Sequence, residues 1–241
     1  MKNFFKKLLN IFFPENTTCN LCGEELSHNK DSEICDNCEN NVLPKLSGKV
    51  CLSCGEPIFD MGDFCLRCKT KQPNFTMARS AFVYNDVTRK LVKGLKEGGK
   101  KYLAKTLAYY MAHTYKDNKM KADVIVYVPM SKSRQKQRGF NQSYILAKHL
   151  SNFLELPLSN DLIKSKETKH QTGMTYTQRQ KNLLDSFAVT TKSIFKDKVV
   201  LLVDDVYTTG ATVKECTKVL LKVAKAKSVL VLTACHTTLQ P

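Results

Sequence analysis

The feature that most constrains the fold of this 241-residue chain is a set of four Cys-x-x-Cys pairs within its first 68 residues. A Cys-x-x-Cys turn brings two thiolates to one metal ion, and two such turns complete the tetrahedral sulfur shell that suits Zn²⁺. Because protein thiolates then fill every position of the shell, the pattern predicts structural rather than catalytic zinc. We therefore expect two structural zinc sites, whose ligands are Cys19, Cys22, Cys35, Cys38, Cys51, Cys54, Cys65 and Cys68.

The spacing of these pairs leaves their grouping open. Twelve, twelve and ten residues separate successive pairs. We prefer the sequential grouping, in which the first two pairs form one site and the last two form the other, but an interleaved grouping fits the same spacing. A disulfide framework would need an oxidising compartment, which the N-terminal sequence does not indicate, and a redox motif would not be repeated four times.

The net charge of +16 favours polyanionic partners such as nucleic acid, phosphorylated substrates or an anionic membrane surface. Residues 1–13 carry apolar side chains at helical spacing and are followed by Pro14, which predicts a short amphipathic helix. We expect this helix to pack on its own domain, with peripheral membrane association as the alternative. Lys6 and Lys7 interrupt any export signal. We therefore expect a cytoplasmic protein, with the inner face of the membrane as the second location considered.

Beyond about residue 75, apolar runs alternate with helical patterns. This alternation predicts an α/β domain with a mainly parallel sheet and helices on both faces. We divide the chain into an N-terminal helix with a double zinc-ribbon module, residues 1–75, and the α/β domain, residues 76–241. Ligands of such sheets bind beyond the carboxyl ends of the strands. The expected strands are residues 80–84, 123–130, 198–205 and 228–234, and the expected helices are residues 87–95, 102–115, 141–153 and 212–223.

The stretch VVLLVDDVYTTGAT, residues 199–212, ends an apolar strand in two acids and a loop of small residues. Small side chains let backbone N–H groups approach a phosphate closely, and the following helix adds its positive end. Asp204 and Asp205 would then hold vicinal hydroxyls or a magnesium-bound group. Paired acids also end strands in receiver domains and P-loop enzymes. The P-loop-like segment 94–101, however, ends in Lys rather than Ser or Thr, so we do not expect a Walker-type NTPase.

The acid pair followed by Thr-Thr-Gly-x-Thr resembles the phosphoribosyl-pyrophosphate signature of type I phosphoribosyltransferases. With four Cys-x-x-Cys pairs and RGFNQ (residues 138–142) before it, the whole chain resembles the ComF family, in which a double zinc ribbon precedes a phosphoribosyltransferase domain. Members of that family are needed for DNA uptake in natural transformation. The resemblance implies a type I phosphoribosyltransferase fold that binds phosphoribosyl pyrophosphate with Mg²⁺.

The resemblance also implies roles for individual residues. Asp204 and Asp205 would contact the ribose hydroxyls, and Arg179, in a flexible lid at residues 166–182, would meet the leaving pyrophosphate; we take these three as the catalytic residues. The 5′-phosphate would be bound by Thr208, Thr209, Gly210, Ala211 and Thr212. The pyrophosphate side would be formed by Pro129, Met130, Ser131, Arg134 and Arg138.

Two segments depart from the family pattern. Residues 96–100 read Lys-Glu-Gly-Gly-Lys where the family usually has Lys-Phe-x-Gly-Asp, and Lys164 or Lys166 stands in place of an arginine of the lid. We expect a phosphoribosyltransferase of unknown acceptor that acts in DNA uptake, with single-stranded DNA and other DNA-uptake proteins as partners. The alternative is a non-catalytic single-stranded-DNA-binding module that grips backbone phosphate with the same loop and stacks bases on Phe75, Phe140 and Tyr176. A phosphoribosyltransferase of nucleobase salvage is a third, less favoured hypothesis.

Overall fold

The computed structural model of the protein describes residues 17–26, 30–46, 48–167 and 182–238. The expected N-terminal helix, Arg179, Tyr176 and most of the expected lid lie outside these ranges. None of the helices within them has the length and apolar character that crossing a membrane demands.

Within the described ranges the main sheet has five strands in the order β1-β7-β6-β2-β3, and every neighbouring pair is parallel. The long central strands are buried along most of their length, which explains their nearly continuous apolar sequences. A separate antiparallel pair is formed by β4 and β5. The strands are β1 Met77–Val83, β2 Val124–Tyr127, β3 Leu158–Ser159, β4 Leu162–Lys164, β5 Phe187–Val189, β6 Val199–Tyr207 and β7 Ser228–His236.

Helices cover both faces of the sheet. The apolar sides of α2, α3 and α5 share one core with Leu201 and Val203, whereas α6 and the β4–β5 pair share the other with Val200 and Leu202. The predicted α/β fold with a parallel sheet covered on both faces is therefore confirmed. The helices are α1 Leu66–Thr70, α2 Asp86–Lys96, α3 Leu103–Asp117, α4 Lys132–Arg138, α5 Gln142–Leu154 and α6 Ala211–Lys222.

The cysteine-rich segment covers the edge strand β1. The Ala78 N–H donates to the Ser53 carbonyl at 2.7 Å, and the Val83 N–H donates to the Pro44 carbonyl at 3.1 Å. A Cβ at residue 55 would lie 2.7 Å from the Ala78 carbonyl oxygen, and Gly55 has a φ of +76°, so this close approach requires glycine. Backbone groups that an open sheet edge would expose are thus paired within the chain.

Three sequence-based boundaries near the rim are wrong. The strand expected at 123–130 spans only Val124–Tyr127, and residues expected to form a loop after it include the helix α4. The strand expected to end at Asp205 continues to Tyr207, because β7 extends beside it and pairs Tyr207 with His236. Asp204 and Asp205 therefore lie inside a strand rather than at its end.

Candidate active site

The carboxyl ends of β2 and β6 open into one cavity of about 440 Å³. It brings together residues that are far apart in the sequence, from the segment after β2, from the acid pair and from the loop before α6. Of the residues that sequence reasoning selected, the lining includes Pro129, Met130, Ser131, Arg134, Arg138, Asp204, Asp205, Thr208 and Thr212. Thr209 and Gly210 complete the loop after Thr208, and Ala211 and Thr212 begin α6.

The two acids at the centre of the cavity have different surroundings. Oδ1 of Asp204 accepts hydrogen bonds from Ser143 Oγ at 2.8 Å and from the Asp205 N–H at 2.9 Å. Burial and the neighbouring charge of Asp205 raise the pKa of Asp204 to about 7. Asp205 Oδ2 instead forms an ion pair with Lys96 Nζ at 2.8 Å. Burial alone would lower the pKa of Lys96, but the charge of Asp205 outweighs burial and raises this pKa.

The loop after the acids ends at Gly210, the N-cap of α6, where φ is +74°. A Cβ at this position would lie 2.3 Å from Tyr207 Oη and 2.7 Å from Tyr207 Cζ, so a larger residue would displace the tyrosine. The Ala211 N–H donates to Thr209 Oγ1 at 3.4 Å. Because α6 begins here, its free N–H groups and positive end are suited to a bound anion.

The opposite wall of the cavity is built on RGFNQ. The side chain of Asn141 caps α5 by accepting from the Ser143 N–H at 2.9 Å, and its Nδ2 donates to the Val128 carbonyl at 3.1 Å. This residue therefore fixes the start of α5 to the end of β2. In the same motif, Arg138 Nη1 donates to Gln142 Oε1 at 2.7 Å, which holds its guanidinium beside the cavity.

Positive charge is concentrated around the acid pair. Lys96, Arg134, Arg138 and Lys164 all line the cavity. Burial and the charge of Arg134 lower the pKa of Lys164. Cations that surround two acids can hold a multiply charged anion while the carboxylates accept hydrogen bonds from hydroxyl groups of the same ligand.

Sequence reasoning missed two residues of this arrangement. Lys96 lies at the end of α2, and it was noted only as the first residue of a segment that departs from a family pattern. Ser143 directly follows RGFNQ, and a serine at a helix start is usually explained as a capping residue. Neither contact with the acid pair follows from local sequence, because residues 96, 143 and 204 meet only through the packing of α2 and α5 on the sheet.

The eight cysteines of the N-terminal segment form two tetrads in sequential order. In each tetrad the ligand sulfur atoms all lie within 4.8 Å of one another. Cys22 Sγ and Cys35 Sγ are 3.7 Å apart in the first, and Cys54 Sγ and Cys65 Sγ are 3.6 Å apart in the second. This is the grouping that we preferred from the sequence.

The chemistry of both tetrads fits Zn²⁺. Burial would raise the pKa of Cys51, but backbone N–H groups, including those of Cys54 and Cys65, outweigh it and lower the pKa to about 7. Cys19 follows the same pattern, again with a pKa of about 7. Burial instead raises the pKa of Cys38, Cys54 and Cys68, so these thiols would lose their protons on binding the metal. The four thiols of each tetrad together match the all-sulfur tetrahedral shell of a structural zinc site.

Comparison with known proteins gives two family matches along the chain. The double zinc ribbon domain matches residues 8–69, and the phosphoribosyl transferase domain matches residues 140–238. Together they confirm the order of modules expected from the sequence.

Similar proteins span most of the chain. Competence protein F of Haemophilus influenzae is 29% identical over 222 residues, which cover 89% of this chain and 94% of that protein. Competence protein ComFC of Bacillus subtilis is 29% identical over 231 residues, with 88% and 91% covered. DNA utilization protein YhgH of Salmonella typhimurium is 30% identical over 195 residues, with 78% and 84% covered.

Proposed function

Because the chain belongs to the ComF family, the family of competence proteins F and ComFC and of YhgH, we propose that it binds phosphoribosyl pyrophosphate with Mg²⁺ and transfers the phosphoribosyl group to an acceptor during DNA uptake. One observation carries this proposal: the acid pair, the small-residue loop and four cations line a single cavity. A phosphorylated sugar that bears a pyrophosphate needs this combination of partners.

In this proposal the loop and the acid pair bind the sugar end of the ligand. Backbone N–H groups of residues 208–212 donate to the 5′-phosphate at the positive end of α6. Asp204 and Asp205 accept hydrogen bonds from the ribose hydroxyls. Their negative charge also stabilises the positive charge that develops on the ribose as its bond to pyrophosphate breaks.

The cationic side chains bind the pyrophosphate end of the ligand. Arg134, Arg138 and Lys164 bind its oxygens, and Arg179, which lies outside the described residues, would meet the leaving pyrophosphate. Mg²⁺ carried with the ligand would neutralise part of the pyrophosphate charge. Since Lys96 already pairs with Asp205, it holds that carboxylate in position before the ligand arrives.

The zinc ribbons have a structural role in this proposal. The module proposed at residues 1–75 would protect the β1 edge of the α/β domain, residues 76–241, through the pairing of Ser53 and Pro44 with β1. Each zinc site would contribute roughly 10 kcal/mol or more to the folding of a segment with few apolar residues.

The test is a calorimetric titration of the full-length, zinc-loaded protein with phosphoribosyl pyrophosphate and Mg²⁺. Substitution of both acids, Asp204→Asn with Asp205→Asn, should weaken binding at least about tenfold, because each lost charged hydrogen bond is worth about 1.5–3 kcal/mol. Asp86→Asn with Asp117→Asn removes the same charge from two exposed positions and should leave the affinity unchanged. Equal affinity in the acid-pair variant would refute the assignment of this site.

A second ligand, single-stranded DNA, is favoured by the surface of α4. This helix reads KSRQKQR and has no buried residue, so Lys132 and Lys136 project into solvent beside the cavity. If α4 binds DNA phosphates, affinity should fall steeply with salt, and Lys132→Ala with Lys136→Ala should reduce the slope by up to about two counterions. A salt-independent interaction would exclude this role.

A further inference from the structure

The ring of Tyr207 lies directly beneath the loop that precedes α6. It is buried at the last position of β6 and stacks on His236, with ring centroids 4.8 Å apart and planes inclined by 20°. Phe75 contacts it edge-on at 6.3 Å. Gly210 lies against Oη and Cζ of the Tyr207 ring so closely that a Cβ on residue 210 would clash with both atoms. The ring therefore sets the height of the loop above the sheet.

On its other side, Tyr207 is connected to the second cysteine tetrad. His236 is fully buried, and one of its ring nitrogens, Cys54 Sγ and a carboxylate oxygen of Glu56 all lie within 4.8 Å of one another. Glu56 also forms an ion pair with Arg67 of α1, between the last two ligands of that tetrad. Contacts thus run from the second tetrad through His236 and Tyr207 to Gly210.

The first tetrad packs elsewhere. Asn20 Nδ2 donates to Thr106 Oγ1 of α3 at 2.7 Å, and Lys105 Nζ lies 2.9 Å from Glu33. Cys19 and Cys38 belong to the core on the α3 face, whereas the second tetrad and Tyr207 belong to the core on the α6 face. The two tetrads therefore lie on opposite faces of the sheet, and the second lies on the face that carries the loop.

We propose that Tyr207 is a positioning residue for the phosphate-binding loop, and that the second zinc ribbon holds it in place through His236. The inference rests on the proposed binding of phosphoribosyl pyrophosphate. It gives the second ribbon a role in ligand binding beyond stability of the fold. Loss of the ring lets the loop sink toward the sheet, so its N–H groups no longer converge on one phosphate.

The ligand test separates the two ends of the substrate in the full-length, zinc-loaded protein. Tyr207→Leu should weaken ribose 5-phosphate at least about tenfold, the effect of misaligning a charge-assisted hydrogen bond. Inorganic pyrophosphate should bind as before, because its partners lie on the opposite wall. Tyr207→Phe keeps the ring and should restore binding to within about threefold of wild type. Tyr110→Leu removes a tyrosine that is equally buried on the other face and should spare both ligands.

A second measurement needs no ligand. Hydrogen exchange of the amides of residues 209–212 should be faster in Tyr207→Leu and in Cys65→Ser, which removes a ligand of the second tetrad. It should be unchanged in Tyr110→Leu.

The outcomes distinguish this inference from the function on which it rests. If wild type binds ribose 5-phosphate and Tyr207→Leu binds it equally well with unchanged loop exchange, the positioning role is wrong. Equal weakening of both ligands would also overturn it, because that result indicates general destabilisation. If wild type binds neither ligand, the proposed function fails, while the exchange experiment still decides whether Tyr207 and the second tetrad hold the loop.

Discussion

Replacing Asp204 by asparagine should stabilise the fold at alkaline pH while weakening ligand binding. The pKa of Asp204 is about 7 in the folded protein against an ordinary value of 3.8, because burial and the charge of Asp205 both oppose ionisation. An acid whose pKa rises on folding binds its proton more tightly in the folded state. The contribution of Asp204 to wild-type stability should therefore fall as pH rises from about 4 to about 7, and the full cost of its ionisation is about 4 kcal/mol.

Asparagine removes this cost with little change in contacts. Its Oδ1 can still accept from Ser143 Oγ and from the Asp205 N–H, the two hydrogen bonds that the carboxylate accepts now. The stability of the variant relative to wild type should therefore increase by roughly 2–3 kcal/mol between about pH 5 and pH 8, and level off above about pH 7.

Urea unfolding of both proteins across this pH range is the assay. Protonation of the zinc thiolates also changes stability with pH, but it affects wild type and variant equally and cancels in their difference. Asp117→Asn removes an exposed carboxylate and should give a difference that does not vary with pH. A constant difference between wild type and Asp204→Asn, or one that shrinks at high pH, would refute the reasoning.

Three further changes test the site and its support. Metal analysis should find about two zinc ions per chain, and Cys51→Ser should lose about one, since the tetrads share no ligand; no metal in wild type would contradict both sites. Lys96→Met removes a positive charge that lowers the pKa of Asp204, so Asp204 should titrate at higher pH. Affinity for phosphoribosyl pyrophosphate, weakened near pH 7, should then recover at more alkaline pH; an unchanged pH profile would exclude this role. Gly210→Ala should weaken ribose 5-phosphate binding and destabilise the protein by at least about 1 kcal/mol, because alanine disfavours a φ of +74° and meets Tyr207; wild-type stability would show that the loop adapts freely.

The sequence predicted the fold well where a single periodic signal extended over a whole element. The apolar runs of β6 and β7 and the helical pattern of α3 and α5 were recognised because burial imposes the same chemistry on every turn or strand face. The helix α4 was missed because it buries no side chain, so it carries no apolar periodicity. The short strands β3, β4 and β5 span two or three residues each, too few for alternation to be detected.

The candidate site was predictable only in part, for a related reason. The acid pair and the loop are contiguous in sequence, so their shared chemistry can be recognised from one motif. Lys96 and Ser143 contact the acids from separate helices, and their positions depend on how α2 and α5 pack on the sheet. The environment of Asp204, which determines its pKa, likewise follows from the tertiary structure.

The position of the ribbons explains why one chain would combine a metal-dependent module with a parallel sheet. In the strand order β1-β7-β6-β2-β3, β1 is an edge strand that pairs with β7, and β7 in turn pairs with β6, the strand that carries the acid pair. An open edge there would leave β1 free to pair with other chains and would weaken the register of β7 against β6. The ribbon backbone instead pairs with Ala78 and Val83, and its second tetrad contacts His236 at the end of β7. Since β7 fixes the end of β6 through the Tyr207–His236 pair, zinc binding at one edge of the sheet would stabilise the strand ends from which the loop before α6 begins.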